Sequence, residues 1–160
     1  TSQGDAAILA DRVRQLLGLD GTGVTIGVIS DSFDLSRGAA ADVSRGDLPG
    51  FGNPSGHGTP VRVLSEGAAG RDEGRAMLQV IHDIAPGAEL LFAAAGYTQV
   101  QLAASIKALV EAGADIIVDD ALFPAEPMFQ DGVVAKAVDA AVATRVVYFS
   151  AAGNLGRQSY

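Results

Sequence analysis

Five short apolar segments rich in β-branched residues alternate with amphipathic stretches along this chain of 160 residues. The apolar segments predict strands at 24–30, 61–65, 89–95, 115–120 and 146–151. Helical periodicity spans about 5–17, 72–84, 98–113 and 130–144. Strands that alternate with helices pair in parallel through right-handed crossovers and carry helices on both faces of the sheet. The pattern therefore predicts one α/β domain over residues 1–160, a doubly wound, mostly parallel sheet in three layers.

One stretch, residues 31–60, breaks this alternation. It is rich in glycine and shows no periodic pattern, so we predict a long loop, and long loops in small domains are often functional. Sites in parallel sheets gather where the strands end. The polar residues that follow the predicted strands are Asp31, Asp34, Glu66, Asp119, Asp120, Ser150 and Asn154.

Composition excludes several classes of function. A net charge of −8 should repel nucleic acids and anionic membranes, so we expect neither as a partner. The absence of cysteine excludes disulfides and thiolate metal sites. His57 and His82 are too far apart in sequence to form a zinc-binding pair on one helix turn. We expect no cofactor, with calcium as the alternative.

Three segments, in order, resemble the subtilase superfamily of serine peptidases. GTGVTIGVISDSFD resembles the strand that ends in the catalytic aspartate, which would be Asp31. DIAPGAELLFA resembles the strand region after the catalytic helix, and VVYFSAAGN resembles the segment that ends in the oxyanion asparagine, which would be Asn154. The resemblance covers about residues 5–160. It implies a subtilisin-like fold, a peptide or protein substrate, and a secreted or cell-surface location.

The resemblance also implies roles for individual residues. Asp31 would orient and charge-balance the catalytic base, and Asn154 would donate N–H groups to a developing oxyanion. Asp119, Asp120 and Ala121 lie at the end of the fourth predicted strand, where subtilases bind the substrate backbone. The alternatives are structural: Asp31 as a helix or turn cap, Asn154 as a turn residue, and the two strand-end aspartates as solvated acids.

Two residues compete for the position of the base. His57 lies in an HGT tripeptide like that of the subtilase catalytic histidine, but Pro60 and a predicted strand follow it, whereas the subtilase histidine opens a helix. Glu73 opens the predicted helix that leads to the APGA segment, with Asp72 as the expected N-cap. Sedolisins, acid-acting relatives of subtilases, use a glutamate from this helix. We therefore favour Glu73; His57, or structural roles for both, remain alternatives.

This hypothesis has consequences for neighbouring residues and for pH. Sedolisins carry an aspartate one turn after the glutamate, where this chain has Met77, and an aspartate at the oxyanion position, where it has Asn154. Glu73 and Asp31 would titrate as a coupled pair that shares a proton, with an activity optimum on the acid side. We expect His82 to be exposed, on the helix face opposite the apolar stripe.

No serine of the chain lies in the Gly-Thr-Ser context of a subtilase nucleophile. We therefore expect the chain to be the N-terminal part of a catalytic domain, inactive alone. The missing C-terminal part would cover exposed apolar surface, through which the chain could also self-associate. Two other readings stay open: a pseudoenzyme or binding module on the same scaffold, and an unrelated α/β ligand-binding domain.

Overall fold

A computed structural model describes residues 3–127, 129–154 and 156. The strands are β1 Thr25–Ser30, β2 Arg62–Ser65, β3 Glu89–Ala94, β4 Ile116–Asp119 and β5 Val147–Ser150. They form one parallel sheet in the order β2-β3-β1-β4-β5. The predicted α/β class and parallel sheet are confirmed, since every predicted strand forms.

The helices of the described residues are α1 Gly4–Ala7, α2 Ala10–Leu17, α3 Ala39–Arg45, α4 Glu73–Ile84, α5 Gln99–Glu111 and α6 Val133–Ala143. The last three lie within their predicted ranges. The first predicted helix is divided, because Leu9 adopts a left-handed conformation with φ of 63°. The short helix α3 occupies part of the stretch that we predicted as loop. Within the described part of the chain, no helix is long and apolar enough to cross a membrane.

The sheet carries a separate apolar core on each face. On one face Ile29, Leu91 and Ile117 pack with residues of α5 and α6. On the other face Val28 and Phe92 pack with residues of α4. Successive residues of a strand point to opposite faces, so strands covered on both sides are apolar throughout. This arrangement gives the three layers predicted from the sequence.

The described residues cover the α4 face of β4 only partly, and that of β5 least. Val147 and Phe149 are 50% and 57% exposed there, whereas the intervening Tyr148 packs against the α5 and α6 core. Between this part of the sheet and α4 lies an apolar cavity of about 440 Å³, lined by Ile26, Met77, Val80, Ile81, Ile84, Ala85, Ile116 and Val118. We call Ile116, Val118, Val147 and Phe149 the uncovered face.

Candidate active site

Asp31 directly follows β1, and its carboxylate binds the N-terminus of α4. Oδ2 accepts a hydrogen bond from Arg71 N at 2.6 Å, and Oδ1 accepts from Glu73 N at 2.9 Å and Ser32 N at 2.5 Å. Burial alone would raise the pKa of Asp31, but these backbone donors, with that of Gly74, outweigh it and lower the pKa. Asp31 is therefore an ionised side chain that caps α4.

Asp72 lies at the expected N-cap position of α4, but its side chain makes no cap hydrogen bond, so our prediction was wrong on this point. The residue adopts φ of 59°, which turns its buried carboxylate towards the loop after β1. There it accepts from Leu35 N at 2.8 Å, Ser36 N at 2.9 Å and Ser32 Oγ at 3.0 Å. Arg75 Nη1 pairs with it at 2.7 Å. The carboxylate that caps α4 is that of Asp31, and Asp72 instead anchors the loop after β1.

Glu73 is the first residue of α4, and its backbone N–H is one of the donors to Asp31. Its side chain is exposed at the end of the sheet where β1 terminates. The structure therefore brings together the two residues that the sequence assigned to the acid and the base. Met77, one turn further along α4, packs against the apolar core below.

Asp119 and Asp120 were predicted together as substrate-binding residues, but they point to opposite faces of the sheet. Asp119 is 4% exposed, and its Oδ1 accepts from Ser150 Oγ at 3.0 Å and from Ala121 N at 3.1 Å. It thereby ties the end of β4 to the end of β5. Burial, followed by the neighbouring Asp119 carboxylate, raises the pKa of Tyr148. The binding role of Asp119, Asp120 and Ala121 stays a prediction.

Asp120 lies on the α4 face, on the same side as Glu73. Its Oδ2 accepts a hydrogen bond from Ser30 Oγ, at the end of β1, at 2.8 Å. Burial raises the pKa of Asp120 and outweighs the hydrogen bond from Ser30, which lowers it; the charges of Glu73 and Asp31 add to the rise. At this end of the sheet the pKa of Asp120 is therefore raised, whereas that of Asp31 is lowered.

His57 lies at the opposite end of the sheet from Asp31. It lines a cavity of about 430 Å³ together with Thr25 and Glu89, which begin β1 and β3. Because β1 and β3 are parallel, both of these residues lie at the end of the sheet where the strands begin. This placement separates His57 from the residues proposed for catalysis.

His82 is buried, with 3% of its surface exposed, so our prediction of an exposed side chain was wrong. The ring of His57 packs edge-on against it, with the ring centroids 5.2 Å apart. Burial, and then the proximity of His57, lower the pKa of His82. The loop before β2 covers a helix face that the sequence pattern had assigned to solvent.

A cleft of about 360 Å³ adjoins Asp31, between the ends of β2 and β3 and the start of α5. Its polar lining residues are Asp31, Ser65, Glu66, Tyr97, Gln101 and Ser105. Sequence reasoning missed Tyr97 and Gln101. Their position in the sequence could have revealed them, because they lie on either side of Thr98, the N-cap of α5, in the segment that follows β3.

Asn154 follows β5, so it lies at the same end of the sheet as Asp31, and its side chain is exposed. Its role as an oxyanion donor stays a prediction. Among the described residues, no group of three or more acidic or histidine side chains is arranged to hold a metal ion.

No protein-family model and no curated protein matches this sequence. Solved structures do match it. The prenylagaramide maturation protease PagA superposes with a TM-score of 0.64 at 16% identity, over 92% of this chain and 51% of that chain. The fold is subtilisin-like. A PatG macrocyclase in complex with a peptide gives a TM-score of 0.55 at 14% identity, over 88% of this chain and 54% of that chain.

The self-cleaved protease domain of PatA is a third match with this fold, with a TM-score of 0.53 at 19% identity, over 86% of this chain and 52% of that chain. At these sequence identities the structural similarity establishes the fold alone, so any argument about function has to rest on the residues of the site. The subtilisin-like chain spans about half the length of these solved structures.

Proposed function

We propose that this chain is the carboxylate-bearing part of a subtilisin-like serine peptidase domain that hydrolyses peptide bonds. The observation that carries the proposal is the contact of Asp31 with Glu73, whose backbone N–H donates to Asp31 Oδ1 at 2.9 Å where β1 ends. The subtilisin-like fold supports it, and two of the structural relatives are themselves proteases.

In this proposal Asp31 fixes the start of α4 and Glu73 acts as the general base. Glu73 removes the proton from a serine hydroxyl that lies outside this chain, as that oxygen attacks the peptide carbonyl. Asn154 donates its side-chain N–H to the oxyanion, a contact whose loss typically slows such enzymes by about 10²–10³-fold. Carboxylates lose their proton at lower pH than imidazoles do, so a carboxylate base stays active in mildly acidic solution where a histidine base is protonated. We therefore expect activity on the acid side of neutrality.

The cleft beside Asp31 is the proposed place for the substrate. It opens next to Asp31 and is lined by small residues together with Tyr97 and Gln101. Glu66 at its rim is held in place, since Phe33 N and Asp34 N donate to its two oxygens at 2.8 Å and 2.9 Å. One structural relative, a macrocyclase, is in complex with a peptide. A peptide is therefore the substrate that we propose for this chain.

The uncovered face is the proposed docking surface for the part of the domain that bears the nucleophile. It is apolar, it borders α4, and the related solved chains are nearly twice as long as this one. A second copy of the chain could occupy the same face, which would appear as self-association of the isolated chain.

The test uses a chain that extends beyond residue 160 and contains a candidate serine. We expect Glu73→Gln to lower the rate of peptide hydrolysis by about 10²–10⁴-fold, the usual contribution of a general base. His57→Ala should leave the rate nearly unchanged, because His57 lies at the other end of the sheet. Glu111→Gln, which alters an exposed glutamate on α5, is the matched control.

Loss of activity in His57→Ala with retention in Glu73→Gln would reverse the assignment of the base. Activity that is lost below about pH 6, where a histidine base becomes protonated, would contradict a carboxylate base. Peptide binding without turnover in the longer chain would favour a binding module on this scaffold. The isolated chain, which lacks a suitable serine, should show no turnover.

A further inference from the structure

The two histidines of the chain form a contact that the proposed chemistry does not use. His82 on α4 is 3% exposed, and the ring of His57 lies against it with the ring centroids 5.2 Å apart. The Nδ1 atom of His82 is buried and has no hydrogen-bond partner among the described residues. A buried polar atom without a partner is rare in folded proteins, so this one calls for a physical explanation.

The surroundings of His82 require a neutral ring. An imidazolium carries a hydrogen on both ring nitrogens, so protonation would place a charge and an N–H donor without an acceptor in a buried position. The neighbouring ring is a second base and cannot neutralise that charge. Burial, and then His57, accordingly lower the pKa of His82. Protonation of His82 is therefore costly for as long as the ring stays covered.

The acids around the two rings do not remove this cost. Asp83 on α4 and Asp47 after α3 act on His82 through their charges, but their effects are smaller than those of burial and of His57. Asp20, which precedes β1, acts on His57. None of these carboxylates binds Nδ1 of His82. They moderate the cost of a protonated His82 without giving its buried nitrogen a partner.

His57 belongs to a weakly held part of the loop before β2, residues 56–60, which we call the covering segment. Its backbone is tied to the preceding part of the loop by the hydrogen bond from Gly50 N to His57 O at 2.8 Å. The preceding part is itself anchored, since the buried Asn53 donates from Nδ2 to Leu48 O at 2.8 Å. Segments with few buried contacts open at low free energy. The other four residues of the covering segment are exposed, namely Gly56, Gly58, Thr59 and Pro60.

We propose that the covering segment is a pH-sensitive latch, which lies on α4 while His82 is neutral and detaches when His82 binds a proton. Detachment lets water solvate the imidazolium and accept a hydrogen bond from its Nδ1. It takes place at the end of the sheet opposite Asp31, so it leaves the residues proposed for catalysis in place. The latch does not rest on the proposed peptidase function.

Hydrogen exchange of the Gly50 amide reports the opening, because this amide donates to His57 O. In the 160-residue chain we expect its protection, corrected for the intrinsic rate, to fall by up to about tenfold between pH 7.5 and pH 5.5. The reason is that a solvated His82 takes up a proton at about pH 6.5, whereas a covered one does so only at lower pH. The amide of Gly113, which donates to Val110 O at 3.0 Å at the end of α5, is the control and should keep its protection.

The matched variant is His82→Phe, which keeps a ring against His57 and cannot titrate, so its Gly50 protection should stay constant over the same range. Constant protection in the unaltered chain, or an equal fall in His82→Phe, would overturn the proposal. Equal opening free energies for Gly50 and for the core amides of β1 would also overturn it, because the whole domain would then be unfolding.

A second measurement needs no substitution, in case His82→Phe does not fold. The ring protons of His82 are followed by NMR over the same pH range, and we expect their titration to accompany the change in Gly50 exchange. A His82 ring that titrates while Gly50 exchange stays constant would refute the latch. None of these measurements needs turnover, so failure of the peptidase proposal in a longer chain is a separate result.

Discussion

The anchor between α4 and the loop after β1 depends on the buried carboxylate of Asp72, so Asp72→Asn should destabilise the fold. Asparagine tolerates the left-handed conformation with φ of 59° that this position requires, and it keeps the shape of the side chain. The substitution therefore removes the charge and turns one acceptor oxygen into a donor, with little backbone strain.

The magnitude follows from the partners of each oxygen. Oδ2 accepts from Ser36 N at 2.9 Å and pairs with Arg75 Nη1 at 2.7 Å, so an amide nitrogen there would face two donors. If the amide nitrogen of the asparagine takes the position of Oδ1 instead, it can donate to Ser32 Oγ, but the hydrogen bond from Leu35 N is lost. In either orientation at least one hydrogen bond to a charged group is lost, worth about 1.5–3 kcal/mol.

Breaking a buried ion pair costs about 3–5 kcal/mol when the remaining charge has no partner. Arg75 keeps two other partners, since its Nε lies 2.9 Å from Asp42 Oδ2 and its Nη1 lies 3.2 Å from Asp34 Oδ1. We therefore expect a loss of about 2–3 kcal/mol in the free energy of unfolding, at or below the lower limit of that range. For a domain of this size, that loss lowers the melting temperature by about 4–12 °C.

Urea unfolding at neutral pH measures the loss, with Asp139→Asn, an exposed acid on α6, as the control expected to change stability by less than about 0.5 kcal/mol. Burial would raise the pKa of Asp72, but the hydrogen bonds from Ser36, Leu35 and Ser32 outweigh it and hold the pKa well below its usual range. The stabilisation should therefore be complete above the unfolded pKa of about 3.9 and shrink as pH falls below it. A loss under about 1 kcal/mol at neutral pH would refute the argument, since it would mean that water replaces these contacts.

Two further substitutions test the packing of α4. Gly74→Ala should cost about 1–3 kcal/mol in urea unfolding, because the added Cβ would lie 2.3 Å from Phe92 Cε2 and 2.9 Å from Ser32 O. Gly58→Ala is its control, since nothing lies within 4 Å of the added carbon; equal effects of the two would contradict the close packing. Burial and His57 lower the pKa of His82, so the unfolded chain binds a proton more readily and stability should decline as pH falls below about 6.5. His82→Leu should flatten this decline between pH 7.5 and pH 5.5, and an unchanged slope would argue against a buried neutral histidine.

The strands could be predicted because their signal is local. Each is a short β-branched run, and apolar residues on both faces are what a sheet covered by helices requires. Helix α3 was missed because its sequence, AAADVSR, has little amphipathic pattern of its own. Its support is tertiary: Val43 packs against the α4 core, and Arg75 on α4 pairs with Asp42. No pattern within residues 39–45 could reveal these contacts.

The errors within the site have a different origin. The sequence placed Asp72 before Glu73 and so predicted a cap, but the choice between Asp72 and Asp31 depends on backbone conformation at the start of α4. The sequence alone could have placed Asp119 and Asp120 on opposite faces of the sheet, because neighbouring residues of a strand point to opposite faces. His82 was misjudged because the loop before β2 folds back over α4, a contact between segments distant in sequence.

The two readings of Asp31, as a helix cap and as the acid of a catalytic site, are compatible in this geometry. The cap hydrogen bond from Glu73 N fixes the backbone of the proposed base relative to β1, while the Glu73 side chain stays exposed at the end of the sheet. A carboxylate held ionised by backbone donors gives a fixed negative charge and leaves proton transfer to its neighbours. Asp31 can therefore hold the helix and the proposed base at the same time, because the hydrogen bond that caps α4 is made by the backbone of Glu73 and leaves its carboxylate unused.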